Sequence, residues 1–255
     1  MAAVERERRG KVEILTINRP EARNAINGDV TAAMGAALDD LAADDDCWVV
    51  LLTGAGDKSF SAGMDLKAFA SGQGAGIIDA NGFASITRRQ FAKPLIAAVN
   101  GAALAGGCEI MLSCDLVVAA DHATFGVPEA KRGLIAGAGG LIRLPRRIPR
   151  AVALELALTG EAIDAQRALQ VGLVNRVVPA GQLMDEALDL AGTIAANAPL
   201  AVRNSKKVML GSADLPEIEA WALNDGTFAE VFTSADAMEG AVAFAEKRPP
   251  NWQGK

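Results

Sequence analysis

Hydrophobic residues fall along the chain in two regimes. Up to roughly residue 145 they form short unbroken runs bounded by turn-forming residues, the pattern of strands buried on both faces; beyond it they recur with helical spacing. In the first regime Lys11 to Asn18 is apolar and β-branched and ends at Arg19-Pro20, which predicts a strand. Asn24 to Gly28 reads as a turn, and Val30, Met34, Ala37, Leu38 and Leu41 then mark one face of a helix that ends in the acidic run Asp44 to Asp46. Trp48 to Thr53 is a second strand, stopped by Gly54-Ala-Gly-Asp57, so these elements form a βαβ unit with a parallel sheet. Leu95 to Val99 predicts a strand, Asn100 to Ala105 a turn, Gly106 to Ser113 a helix and Asp115 to Ala120 another strand. The glycine-rich residues 71–82 are expected to form a mobile loop. In the second regime the spacing predicts helices over 149–159, 164–170, 181–196, 199–210, 214–231 and 234–246, with one strand, Leu173 to Val178, between them. The fold class is α/β, with a helical C-terminal part and no internal repeat at a solenoid period.

Composition narrows the function. Of 255 residues, 51% are hydrophobic and 22% charged, which is the globular range. Lys plus Arg number 25 against 31 Asp plus Glu, a formal charge of −6, so a nucleic-acid partner is not expected. The single histidine, His122, excludes a His-rich metal site and reads as a surface residue; no metal is expected. Cys47, Cys108 and Cys114 sit in apolar runs with no Cys-x-x-Cys pair, which suggests small buried hydrophobes in a reducing, cytoplasmic setting. The mixed-charge start has no apolar core of a signal peptide. Leu95 to Leu112 is long enough for a membrane span, but Asn100, Glu109 and the turn-forming Asn-Gly argue for a buried strand–turn–helix instead.

Two carboxylates stand out. Glu109 lies in Gly106-Gly-Cys-Glu-Ile-Met-Leu112, and Glu129 in Phe125-Gly-Val-Pro-Glu129. A glutamate in apolar surroundings loses hydration, its pKa rises, and it suits proton transfer near neutral pH. The alternative for each is plain exposure or a helix cap. Two glycine-bearing turns, Phe60 to Lys67 and Asn100 to Gly107, could each place free backbone N–H groups at a helix start. Converging on one oxygen, such groups make an oxyanion hole; taken singly, each is an ordinary strand-to-helix turn. Gly54-Ala-Gly56 ends in Ser59 rather than the last glycine of a dinucleotide fingerprint, and no Walker or Gly-x-Ser-x-Gly pattern occurs. The cluster Arg143, Arg146, Arg147 and Arg150 lies on one helix region and reads as a solvated or subunit-facing surface rather than a ligand site.

Taken in order, these residues spell a family. The pieces are Asn18-Arg-Pro-Glu-Ala-Arg-Asn-Ala25, Thr53 to Lys67, Lys93-Pro-Leu-Ile-Ala-Ala-Val-Asn-Gly101, Gly106-Gly-Cys-Glu109 and Cys114-Asp-Leu116. They continue through Phe125 to Glu129, Gly137-Ala-Gly-Gly140 and the tail Ala243 to Trp252. Over nearly its whole length the chain resembles the crotonase (enoyl-CoA hydratase/isomerase) superfamily. The resemblance implies a crotonase-like ββα spiral core over 1–195, holding the CoA and active sites. It also implies a helical region over 196–255 for assembly into a homotrimer or a dimer of trimers.

It further implies an acyl-CoA substrate, with coenzyme A arriving as part of the substrate and no separate cofactor. By motif position the oxyanion hole is the backbone N–H groups of Met64 and Gly106. Glu109 and Glu129 occupy the two acid positions of the family's hydratases, which favours syn addition of water to a trans-2-enoyl-CoA or its reversal. Ala22, Ala62, Asp65 and Leu66 fall on the CoA path, and Phe244 and Lys247 are positions that in relatives reach CoA, often from a neighbouring subunit. Three departures stand out: Ala105 where a third glycine is common, Ala136 where proline is common, and Met64 where many hydratases have alanine. The Phe-Ser-Ala-Gly-x-Asp-Leu-Lys turn with the Phe-Ala-Glu-Lys-Arg tail looks most like the carnitinyl-CoA dehydratase branch. The competing readings are an enoyl-CoA isomerase or other lyase of this fold, a non-catalytic acyl-CoA-binding relative, and a dinucleotide oxidoreductase.

Overall fold

The computed structural model describes residues 2–72 and 74–255. Within these, the chain opens with β1 (Val4–Arg9), β2 (Val12–Ile17), α1 (Gly28–Ala43), β3 (Val49–Gly54), β4 (Ser59–Ser61) and α2 (Leu66–Ala70). There follow β5 (Ile78–Asp79), β6 (Gly82–Phe83), β7 (Leu95–Val99), β8 (Ala102–Leu104), α3 (Gly106–Met111), β9 (Leu116–Ala120) and β10 (Thr124–Gly126). After a single 3₁₀ turn, Pro128–Arg132, come α4 (Gly140–Arg147), α5 (Arg150–Thr159), β11 (Ile163–Asp164), α6 (Ala165–Gln170), β12 (Arg176–Val178) and α7 (Leu183–Ala195). The last three helices are α8 (Pro199–Gly211), α9 (Glu217–Phe232) and α10 (Ala235–Glu246).

The strands form two main sheets. The larger has the order β1-β2-β3-β7-β9-β12, with β1 antiparallel to β2 and the rest parallel. The smaller has the order β11-β10-β8-β4, with β4, β8 and β10 parallel. Each of β3, β7 and β9 in the large sheet is followed at once by β4, β8 or β10 in the small one, and then by a helical turn. This repeating step is the ββα spiral that the resemblance implies.

The strands are apolar throughout because each face has its own cover. Ile14, Leu51, Ile96 and Val118 meet Leu183, Ala187 and Ala191 of α7, while Leu15, Leu52, Ala97 and Val117 face the main core with Met34, Leu38 and Leu41 of α1. Period-2 alternation between two apolar layers leaves no polar face to read. α1 starts on Asn27, whose side chain accepts a hydrogen bond from the Val30 N–H at 3.0 Å.

Several elements depart from the sequence reading. β1 escapes it because its residues are mostly charged; Arg6 and Arg8 pair at 2.9 and 2.6 Å with Glu13, a buried carboxylate on β2. β4 and β11 are too short to show a period, and β8 lies inside the segment read as the Asn100–Ala105 turn. The expected loop at 71–82 contains β5 and leads into β6, which pair as a small antiparallel hairpin; Gln73 within it lies outside the described residues. The helix region read at the Arg143–Arg150 cluster is divided between α4 and α5, and α4 carries Pro145 in its second half. All three cysteines are free and buried, and His122 is exposed, as expected. No helix among the described residues is long and apolar enough to cross a membrane.

Candidate active site at the ends of three parallel strands

β4, β8 and β10 run side by side in register, Ser61 opposite Ala103 and Leu104 opposite Gly126. Their carboxyl ends therefore lie together, and ligands of α/β proteins commonly bind at such ends. From β4 the chain turns through Ala62 and Gly63 to Met64, from β8 through Ala105 into α3, and from β10 through Val127 into the Pro128–Arg132 turn. These three exits carry Met64, Gly106 with Glu109, and Glu129. The structure thus gathers residues that the sequence spreads over 66 positions, from Met64 to Glu129.

The first two exits touch. A Cβ built on Gly63 would come within 2.7 Å of the Gly106 nitrogen, and one on Gly106 within 3.3 Å of the Gly63 Cα. Gly63 also has φ +87°, a left-handed conformation that favours glycine. Ile26 bridges to this turn by donating its N–H to the Gly63 carbonyl and accepting from the Asp65 N–H, at 2.8 and 2.9 Å. In a parallel bridge of this kind the N–H of Met64 points away from Ile26. Gly106 is the first residue of α3, so its N–H has no partner within the helix. Neither N–H donates to a protein acceptor among the described residues. Phe83 of β6 covers Gly106 so closely that a Cβ there would lie 2.5 Å from the ring.

Buried asparagines hold the turns from behind. Asn24 donates to the carbonyls of Ala55 and Ser59 at 3.0 and 2.7 Å, and accepts from the Arg19 N–H. Asn100 donates to Gly54 and Gly56, at 2.8 and 2.7 Å. Ser61 donates to the Asn24 carbonyl and accepts from the Gly63 N–H, which links this network to the Met64 turn. This wiring explains why Gly54-Ala-Gly56 is not a nucleotide loop: a Cβ on Gly54 would sit 2.5 Å from the Phe60 carbonyl.

Glu109 is 3% exposed. Its Oε1 accepts from the Gly140 N–H at 2.8 Å. Burial pushes its pKa up, and the N–H groups of Gly140 and Ala138, with the positive charge of Arg143, oppose that rise. Glu129 is half-buried, and its Oε2 is buried without a hydrogen-bond partner among the described residues. Burial raises its pKa as well; its own backbone N–H opposes, and the charge of Glu109 adds to the rise. The charge of Glu109 thus reaches Glu129; Glu109 lies away from bulk water, and Glu129 turns one buried oxygen, Oε2, inward. Plain exposure, the bland alternative for each, does not hold.

The other expected site residues divide into two groups. The Ala62 N–H donates to the Arg23 carbonyl at 3.1 Å, which brings Ala22 and Ala62 to one edge beside Asp65 and Leu66. Asp65 caps α2 by accepting from the Ala68 N–H at 3.1 Å and pairs with Arg19 at 2.9 Å; these two contacts hold it below the usual carboxylate range, with the Ala68 N–H the larger effect. Leu66 is exposed. Phe244 and Lys247 stand apart at the end of α10, both exposed, with Lys247 a left-handed cap residue at φ +56°. No hydrogen bond or ion pair among the described residues ties either one to the Ala22–Leu66 edge.

Sequence reasoning missed three contributors: the Ala138–Gly140 backbone, Phe83 and Arg143. The last corrects an expectation. Arg146 is exposed and pairs with Asp214 at 2.9 Å, as a surface residue should. Arg143 and Arg147 instead turn inward, donating to the carbonyls of Thr87 and Cys114 at 2.5 and 2.7 Å. Helical spacing splits the cluster between two faces, which a count of charges along the sequence does not resolve.

The spiral of paired strands and the two abutting turns define a crotonase-fold enzyme, and the chain belongs to the enoyl-CoA hydratase/isomerase family, which it matches over residues 7–255. It is 42% identical over 253 residues to the carnitinyl-CoA dehydratase of Proteus mirabilis (strain HI4320), covering 97% of each chain. Among solved structures it is similar to an enoyl-CoA hydratase from Mycobacterium tuberculosis H37Rv, with a TM-score of 0.97, 48% identity and full coverage of both chains. A carnitinyl-CoA hydratase from Mycobacterium avium is 49% identical with a TM-score of 0.81, again over both whole chains.

Proposed function

We propose that this enzyme is an enoyl-CoA hydratase, adding water reversibly and syn to a trans-2-enoyl-CoA. The observation that carries the reading is that buried Glu109 and half-buried Glu129, both raised in pKa, leave the same strand ends as the free N–H groups of Met64 and Gly106. A binding protein has no need of two desolvated acids. An isomerase moves one proton between carbons and needs no second group to activate water.

The four groups divide the work. The N–H groups of Met64 and Gly106 hold the thioester oxygen and stabilise the charge that grows on it as the enolate forms. Glu109, which accepts from the Gly140 N–H, is the carboxylate that orients water and takes its proton as the oxygen bonds to Cβ. Glu129 lacks such support at Oε2 and feels the charge of Glu109, so it is the group that keeps a proton and delivers it to Cα. The proton gained by Glu109 returns to Glu129 before the next turnover.

The remaining assignments follow from this reading. Ala22, Ala62, Asp65 and Leu66 flank the CoA path, with Asp65 fixing the start of α2 rather than meeting the ligand's phosphates. Phe244 and Lys247, both exposed at the end of α10, reach CoA from a neighbouring subunit. Residues 196–255 form the assembly region of a homotrimer or a dimer of trimers. Large exposed apolar side chains on its helices, among them Ile218, Phe228, Phe232 and Met238, support this. Coenzyme A enters with the substrate, and no further cofactor is needed. A cytoplasmic location fits the three free thiols.

The test is loss of the conjugated enoyl absorbance of crotonyl-CoA, run with wild type, Glu109→Gln and Glu129→Gln. Each glutamine variant is expected to lose about 10²–10⁴-fold in kcat. If crotonyl-CoA and longer trans-2-enoyl-CoA esters bind but stay unchanged, the hydratase reading fails.

A further inference from the structure

Arg143 is an inward-turned cation whose charge reaches Glu109, and the roles above do not use it. It lies on α4, one turn beyond the residues whose backbone holds Glu109. Its Nη2 is anchored on the Thr87 carbonyl at 2.5 Å. Its Nη1 is buried with no hydrogen-bond partner among the described residues. The side chain folds back over Gly139, where a Cβ would run into Nη1. The next residue, Gly140, donates to Glu109 Oε1 and lies so near that a Cβ on it would meet that oxygen at 3.1 Å. An unpartnered guanidinium arm thus sits over the turn that supports the carboxylate.

We propose that Arg143 is a positioning residue for the reaction: anchored at Thr87 and folded over the Gly139–Gly140 turn, its guanidinium holds Glu109 in the charged form that orients water. The proposal rests on the hydratase reading for its catalytic meaning; the placement of the guanidinium over the Gly139–Gly140 turn stands apart from that reading.

The other charges around Glu109 do not substitute for it. On the same helix, Cys108 is a buried thiol pushed up to about 12 by burial, so it is neutral. From the Pro128–Arg132 turn, Glu129 repels the charge on Glu109, and Arg132 acts on Glu129. On α4, Arg147 faces Cys114 and Asp115, and Arg146 is committed to Asp214. Arg143 is the cation that Glu109 feels, and Glu109 is the strongest charge that Arg143 feels. Removing it leaves burial to act on Glu109 against two N–H groups only. An opposite charge close to a carboxylate commonly lowers its pKa by about one to three units.

The experiment titrates Glu109 directly. Wild type, Arg143→Gln and Arg143→Lys are labelled with 13C at the glutamate carboxyl carbon, and Glu109→Gln assigns the resonance. The expected result is a measurable rise in the Glu109 midpoint in Arg143→Gln and recovery of most of it in Arg143→Lys. In crotonyl-CoA hydration the acid limb of the kcat profile should move up by the same amount, with KM little changed. If Arg143→Gln does not fold, Arg143→Met, which keeps the apolar stem, takes its place. A Glu109 midpoint that stays at the wild-type value in the neutral variants overturns the proposal and leaves Arg143 as a tie between α4 and Thr87. The titration needs no turnover, so failure of wild type to hydrate crotonyl-CoA counts against the hydratase reading alone.

Discussion

Adding one methyl group at Gly106 tests the proposed oxyanion site without touching either acid. The new Cβ would meet Phe83 at 2.5 and 2.8 Å and the Gly63 Cα at 3.3 Å, where ordinary contact begins near 3.4 Å. The Phe83 ring is 3% exposed and cannot simply swing into solvent, and Gly63 is backbone. Either the ring is displaced or the first turn of α3 retreats from the Met64 turn. Overpacking of this kind costs about 1–3 kcal/mol of stability. Moving one of the two N–H donors off the thioester oxygen costs about 3–4 kcal/mol in the transition state, or roughly 10²–10³ in kcat. The assay is hydration of crotonyl-CoA by Gly106→Ala alongside urea denaturation. Adding Phe83→Leu to Gly106→Ala relieves the largest clash and should recover part of kcat. A Gly106→Ala enzyme that folds and keeps the wild-type kcat would refute the assignment of this N–H.

Three further outcomes follow from other residues. Ala105 sits at φ +52°, ψ −129°, a conformation that suits glycine; Ala105→Gly should raise stability by about 1 kcal/mol in urea denaturation, with the turn unchanged. Glu109 has a raised folded-state pKa, so it contributes stability below the ordinary glutamate range that is lost as pH rises through the raised value. Glu109→Gln should therefore unfold at higher urea than wild type at about pH 7, with the difference vanishing at about pH 4. Asp65→Ala removes the cap of α2 and the partner of Arg19, which should lower stability by about 1 kcal/mol and raise KM for the CoA ester more than it lowers kcat.

The core was legible where a single physical rule set both sequence and structure. Val30, Met34, Leu38 and Leu41 of α1 and the runs of β2, β3, β7 and β9 are buried, because burial on fixed periods leaves few choices of residue. Glu109 was legible for the opposite reason: a carboxylate in an apolar run demands explanation. Elements whose identity depends on distant partners were not legible. β1 is a strand because Glu13 draws Arg6 and Arg8 over the sheet edge, and a charged hexapeptide alone does not show that. β4 and β8 are three-residue strands whose pairing is set by Asn24 and Asn100 behind them. Arg143 was misread as surface because its direction depends on Thr87, 56 residues away. The glycines at 139 and 140 were a signal, since they leave room for that side chain and for Glu109.

In the proposed reaction buried Glu109 and half-buried Glu129 add water across an enoyl thioester held by two backbone N–H groups. Running the reaction on crotonyl-CoA in deuterium oxide and reading the product by proton NMR tests it most directly. The expected product is a 3-hydroxyacyl-CoA with one deuterium at Cα, added on the same face as the hydroxyl, formed about 10²–10⁴-fold more slowly by Glu109→Gln and Glu129→Gln. Deuterium exchange or double-bond migration without a hydroxyl at Cβ would contradict it.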